Sequence, residues 1–475
     1  MAFHSLEFLI FAPLALLGHA LLRGRSQRIW LIIMSYLFYG WGNPLYCLLL
    51  LMSTTTAFLA AQRIDASDQA QTRKAWLTVS IVINLGLLAA FRYLPFLTRG
   101  FNRLSAAMGF GLQLPLPEYI LPIGISFYTF QTLSYTIDVY RKQVAATRSF
   151  TTMALFVAFF PQLIAGPIER APHLMRQIEM KPEGSADDLL AGASRILWGL
   201  TKKLVFADWL AAYVNWVFVM PEHVTSWELL LAIYAFAFQI YLDFSGCTDI
   251  AIGLSRMMGI YLRENFRWPY LARNISEFWK RWHISFTTWL QDYLYLPLGG
   301  SRLKPARAAI GILTMVALAG LWHGGANTLI LWGLWIGLGM LGFHTYAAMV
   351  PADRREYRTL NWTDVVPIAL TFHWLAVSWV FFRSGSVSQA VGILQRLTVS
   401  WHSGPLAIPS EVVIRTAILV AIAGIAHILR RGQFRFLQWE RLRSPTAIGA
   451  LWGILILFIA LLFAPQQQSF AYLRF

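Results

Sequence analysis

Apolar residues along this chain come in long blocks, not in the alternating or one-face patterns of a water-soluble fold. The blocks occupy residues 6–22, 29–61, 75–97, 119–140, 153–168, 189–220, 227–260, 306–322, 329–349, 365–382, 412–429 and 448–463. A helix needs about 20 apolar residues to cross roughly 30 Å of hydrocarbon. The block at 29–61 is long enough for two crossings, and Gly42-Asn43-Pro44 is the predicted break. The pattern predicts an all-α, polytopic transmembrane helical bundle of about 10–12 spans, with re-entrant or interfacial helices supplying the blocks of unsuitable length. A single domain over residues 1–475 is expected, because lipid removes the surface-to-volume limit that divides soluble chains. The first block has no basic flank before it and no small-residue cleavage site after it, so it reads as a retained span.

Composition sharpens this picture. The 475 residues are 57% hydrophobic and only 13% charged, with a mean hydropathy of +0.53. A soluble domain carries about twice that charge. The 20 Trp residues suit membrane–water interfaces. Cys47 and Cys247 are too few for a disulfide framework or a thiolate metal site. The net charge of +16 does not point to nucleic acid, because the basic residues punctuate gaps between apolar blocks and no basic recognition helix is present. Arg23, Arg25 and Arg28, then Arg141, Lys142 and Arg148, then Arg430, Arg431, Arg435, Arg441 and Arg443 mark cytoplasmic loops. That assignment puts both termini on the outer side.

Two stretches break the apolar pattern. Residues 263–307 mix Arg267, Arg273, Glu277, Lys280, Arg281, His283, Asp292, Arg302 and Lys304 with Trp268, Trp279, Trp282 and Trp289. On one continuous helix, Phe278, Trp282, Phe286 and Trp289 share a face, with Glu277, Lys280 and Arg281 opposite. The stretch reads equally as a membrane-surface anchor or as the mouth of a site for an anionic cytoplasmic substrate. The second stretch is Gly320-Leu321-Trp322-His323-Gly324-Gly325-Ala326-Asn327, between two strongly apolar blocks. A histidine there is either a loop residue at a helix end or a base facing a polar cavity. Its imidazole has the ordinary pKa for taking a proton from a hydroxyl at neutral pH. Asp243 and Asp249 lie inside an apolar block and need partners, for which structural pairing with Arg or Lys is expected. No metal-ligand spacing, phosphate loop or nucleophile elbow is present. A polytopic transporter remains a rival, but no internal repeat supports it.

Taken together, several stretches resemble the membrane-bound O-acyltransferase family, in particular its bacterial alginate O-acetylation branch. They include Leu121-Pro122-Ile123-Gly124-Ile125-Ser126, Phe160-Pro161-Gln162-Leu163, Gly166-Pro167, Asp243-Phe244-Ser245-Gly246 and Glu264-Asn265-Phe266. The strongest is Glu277-Phe278-Trp279-Lys280-Arg281-Trp282-His283-Ile284-Ser285, followed by Asp292-Tyr293-Leu294-Tyr295 and Leu321-Trp322-His323-Gly324. Two features depart from the branch: Gln291 stands where many relatives have Arg, and no His follows Trp332-Gly333.

The resemblance implies a bundle around a central acyl-transfer chamber, in a bacterial inner membrane. It implies His323 as catalytic base and His283 as a second essential histidine that positions the donor or steadies an oxyanion. Asn265, Asp292 and Trp322 are expected in support, with Lys280, Arg281 and Arg302 on the donor. The implied donor is acetyl-CoA or another acyl thioester, with no tightly bound cofactor and no metal. The implied acceptor is an exported polysaccharide or envelope glycan, reached with a periplasmic acetyltransferase partner. D-alanyl transfer from a carrier protein to a teichoic acid is the alternative within the family. The tail at 464–475 resembles the aromatic ending of many bacterial relatives; it reads first as an interfacial anchor, and the sharper alternative is that Tyr472 relays the acetyl group.

Overall fold

The computed structural model describes residues 1–116, 122–180, 183–300, 305–349, 362–431 and 445–463. Every regular element among them is helical. Six helices are long and apolar enough to cross a bilayer: Tyr46–Asp65, Ala70–Ala107, Ser226–Met257, Asn327–Ala347, Val365–Arg383 and Ser410–Leu429. Leu6–Leu21, Arg307–His323 and Ile448–Leu462 are shorter apolar helices. The chain is thus an all-α, multi-pass membrane protein. It divides into two compact units, one of residues 1–196 with 247–263, the other of 197–246 with 264–475.

In the first unit the break foreseen in the second apolar block is real. One helix ends at Gly40 and the next begins at Tyr46. Arg73 shows how a buried cation is tolerated here. Its Nη1 donates to the Ile64 carbonyl at 2.6 Å and its Nη2 to the Tyr140 carbonyl at 2.7 Å. Those carbonyls close the helices Tyr46–Asp65 and Ile125–Tyr140, so one guanidinium satisfies the negative ends of two helices. Gly192 and Gly253 let two segments cross closely, since a Cβ at either would lie within 2.6 Å of the other's carbonyl oxygen. Beside that crossing, Arg195 Nε and Nη2 donate to Asp249 Oδ1 at 3.0 and 2.9 Å, the structural pairing expected of this aspartate.

The second unit holds an aromatic core that includes Phe236, Tyr241, Phe278, Trp282, Trp379 and Phe382. The block at 189–220 is not one regular span here. A π-helical stretch, Thr201–Ala207, follows the α-helix Ala186–Leu200 and precedes Asp208–Val219. Its Lys203 is buried with Nζ 2.8 Å from both Asp208 and Asp243. Pro305–His323 and Asn327–Met349 form a tight hairpin. A Cβ on Gly320 would sit 2.2 Å from the Leu329 oxygen, and one on Gly333 2.2 Å from the Val316 oxygen. Small residues permit this backbone approach where lipid offers no competing hydrophobic drive.

Candidate active site

The single amphipathic helix predicted across 277–289 is two pieces. Ile275–Trp279 ends in a turn, and Ile284–Leu290 starts after His283, whose φ of 43° is left-handed. Asn265 makes that turn. Its carbonyl accepts from Ile284 N at 3.0 Å. Its side-chain Oδ1 accepts from Ser285 N at 3.1 Å and Ser285 Oγ at 2.9 Å, and lies 3.2 Å from His283 Nδ1. The Ser285 N–H can only donate, so the amide presents oxygen to all three. His283 Nδ1 therefore carries the ring hydrogen, and the neutral ring keeps its lone pair on Nε2. Burial holds the His283 imidazole far below its ordinary value, at about 3. The ring is neutral at physiological pH.

The predicted polar face of that helix is also different. Glu277 is buried, not solvated. Its Oε1 accepts from Arg281 Nη2 at 2.7 Å and its Oε2 from Arg273 Nε at 3.2 Å. Arg281 is thereby committed to an internal carboxylate, and Arg281 Nη1 also donates to the Arg267 carbonyl at 3.3 Å. The aromatic face does form, with Phe278, Trp282, Phe286 and Trp289 all buried.

His323 closes the Pro305–His323 helix, and Gly324-Gly325-Ala326 interrupts the helical path before Asn327. It is only 4% exposed. Its ring meets Trp322, Trp332 and Phe382 at centroid distances of 4.6, 5.0 and 5.1 Å. The two histidines, 40 positions apart in the sequence, come together on one aromatic pair. Phe286 stacks on Trp322 at 4.2 Å. Phe286 lies 5.1 Å from His283 and 6.4 Å from His323, and Trp322 lies 6.3 Å from His283. Phe244 closes the other side of His283 at 4.8 Å, nearly perpendicular.

A cavity of about 230 Å³ shares two walls with this cluster, Phe286 and Trp332. The rest of its lining is mainly apolar, with Trp279, Met315, Ile336 and Met340, while Lys280, Gln291, Tyr295 and His344 supply polar edges. From Trp332 to His344 it follows 12 residues of one helix, about 18 Å of axis. Asp292 stands exposed on the π-helical turn Gln291–Tyr295. Arg302 and Tyr472 lie outside the described residues. Among the described residues no group of three or more His, Cys, Asp or Glu side chains is placed to hold a metal ion. Trp332 is the wall that sequence reasoning missed. In the sequence Trp332 is one apolar residue of the block at 329–349, and its place against His323 is a tertiary fact.

The profile of the membrane-bound O-acyltransferase family matches residues 33–382. The chain belongs to that family. It is therefore a membrane-bound acyltransferase, and the match takes in both histidines and the hairpin that carries His323. The relatives it resembles are named for different polymers. The chain is 38% identical to the probable alginate O-acetylase AlgI of Pseudomonas aeruginosa, over 82% of this chain and 73% of that one. It is 31% identical to the peptidoglycan O-acetyltransferase of Helicobacter pylori, over 81% of this chain and 77% of that one. The likeness to the teichoic acid D-alanyltransferase of Bacillus subtilis is 28%, over 55% of this chain and 68% of the relative.

Proposed function

We propose that this acyltransferase moves an acetyl group from a cytoplasmic acyl thioester, acetyl-CoA being the first choice, to the outer side of a bacterial inner membrane. There the group serves O-acetylation of an exported polysaccharide or envelope glycan, with a periplasmic acetyltransferase partner. One observation carries the reading: two buried histidines share the Phe286–Trp322 pair beside a mainly apolar cavity of about 230 Å³ whose lining follows about 18 Å of one helix. That shape suits the arm of a thioester far better than a bulk polymer. The acetyl reading is preferred over D-alanyl transfer because the named O-acetylases align over more than four-fifths of the chain, and the D-alanyltransferase over 55%.

In this mechanism His323 takes the proton of an acceptor hydroxyl as its oxygen attacks the thioester carbonyl. The proton then goes to the leaving thiolate. His283 Nε2, holding a lone pair, accepts from an amide N–H of the donor, which favours the positioning role over oxyanion stabilisation. Asn265 supplies the oxyanion donor instead: Oδ1 is taken by three groups, while the buried Nδ2 has no hydrogen-bond partner among the described residues. Trp322 holds both rings in place. Lys280, on the cavity wall, is the donor's cationic contact, joined by Arg302, with Arg281 in a shared role through Glu277. Asp292, exposed near the cavity residues Gln291 and Tyr295, orders the entrance. Tyr472 relays the acetyl group on the outer side, where both termini lie.

The test is release of CoA from acetyl-labelled acetyl-CoA by the detergent-purified protein, with label on protein followed in parallel. Multiple-turnover release by the parent and its loss in His323→Ala are expected, with the label that maps to Tyr472 lost in Tyr472→Phe. A well-folded parent that releases nothing, even with its partner supplied, sinks the acetyl-CoA reading.

A further inference from the structure

Away from the histidine cluster, the second unit carries another constellation with the order of a nucleophile, a base and an orienting group. Tyr234, on Ser226–Met257, has its hydroxyl 2.8 Å from His373 Nε2. His373, on Val365–Arg383, has Nδ1 2.7 Å from the carbonyl of Ala369, one turn earlier on its own helix. A carbonyl has no hydrogen to give, so Nδ1 carries the ring hydrogen and Nε2 the lone pair. The Tyr234 O–H therefore donates to a correctly oriented base. Phe372 packs against the phenol ring at 5.6 Å and fixes its face.

Depth makes the pair unusual. Each residue stands eight positions into its helix (234 − 226 and 373 − 365), about 12 Å along the axis. Both helices are long and apolar enough to cross a bilayer. Even so, His373 is exposed and Tyr234 half-buried. Leu or Phe would fill such a surface on an apolar helix without any polar group to satisfy, and an ionisable group well inside a membrane-crossing helix points to use. The bland account is mutual satisfaction of two polar tips. It explains the hydrogen bond, but not why either polar group is there.

We propose that Tyr234 is a histidine-activated phenol that accepts an acyl group from an acyl thioester. The Tyr234 oxygen bonds to the carbonyl carbon as the carbon–sulfur bond breaks. The phenol proton passes to His373 Nε2 and then to the departing thiolate, leaving an acyl-tyrosine ester and a free thiol. The proposal shares the thioester donor with the function proposed above but does not use His323.

The test treats the full-length protein in detergent with N-acetylimidazole, a phenol-acylating probe, and maps acetylated tyrosines by peptide mass spectrometry. Tyr346, 60% exposed on Asn327–Met349, is the internal reference. Tyr234 is expected to react about 10²-fold faster than Tyr346, the scale of general-base assistance. His373→Gln should abolish the excess. Labelled acetyl-CoA should mark Tyr234 in the parent and in His323→Ala, and not in His373→Gln. Equal reactivity of Tyr234 and Tyr346, or an excess that survives in His373→Gln, overturns the proposal. So does CoA release by the parent without label at Tyr234. A parent that releases no CoA but keeps the His373-dependent excess with the probe sinks the acetyl-CoA reading and leaves this site standing.

Discussion

The second unit buries polar groups in two ways. Around Lys203 the solution is ionic: one ammonium, two carboxylates at 2.8 Å, all three side chains 1–3% exposed. Around His283 and His323 it is neutral: aromatic walls, one amide and uncharged imidazole at His283. The ionic group holds geometry, because its one ammonium is spent on two carboxylates. The neutral group keeps a lone pair inside a dry site, where a base is available without the cost of burying charge. The two are also linked. Asp243 anchors the helix position next to Phe244, and the Phe244 ring closes one side of His283.

The largest expected effect lies in the neutral group. His323→Ala should lower acetyl transfer by about 10²–10⁴-fold while thermal unfolding in detergent stays near that of the parent. A variant that unfolds early would mean His323 is chiefly packing for Trp332 and Phe382. The ionic group should respond in the opposite sense. Lys203→Met leaves two buried carboxylates facing each other, a loss of about 3–5 kcal/mol in stability. Combining it with Asp208→Asn and Asp243→Asn should recover part of that loss, because the two carboxylates that shared Lys203 are then neutral. If the triple variant folds but its turnover falls with KM unchanged, the ionic group also sets the Phe244 wall. Next in size is Gly333→Ala, whose added methyl would press on the Val316 carbonyl at the crossing that holds His323. A stability loss of about 1–3 kcal/mol is expected, read as a lower unfolding temperature.

How far these regions were legible follows from which interactions are local. The helix break at 42–44, the interruption after His323 and the pairing of Asp243 and Asp249 with basic partners all follow from residue type and apolar context. The broken helix at 280–283 does not. Its periodicity is continuous, and only Asn265, 18 positions upstream of His283, makes the turn favourable. Arg281 was legible as a cation, and Glu277 four positions earlier was legible as its partner. What could not be read was that Glu277 is buried while Arg281 stays partly exposed, so that the guanidinium is held on an internal carboxylate. Lys203 sat unnoticed inside an apolar block because one of its two partners is 40 positions away. The family motifs marked both histidines, whereas Trp332 and the cavity exist only once helices pack.

The smallest expected effect is a slope. Folded His283 binds its proton only near pH 3, and an unfolded histidine binds it near 6.5. Between those values the unfolded chain holds more protons at this position, so stability rises with pH from about 3 to 6.5 and is flat above. One proton limits the slope to about 1.4 kcal/mol per pH unit. His283→Asn is the informative change, since Asn tolerates the left-handed backbone and its amide can still donate to Asn265 Oδ1. The parent-minus-variant difference in unfolding between pH 5 and 6.5 should be positive in slope, and it should vanish above 7. A flat difference would mean that water reaches the ring and that the site is not dry. Activity then sharpens the contrast between the two histidines. An acid limb near neutrality that survives in His283→Asn belongs to a group other than His283, as expected if His283 positions the donor and His323 moves the proton.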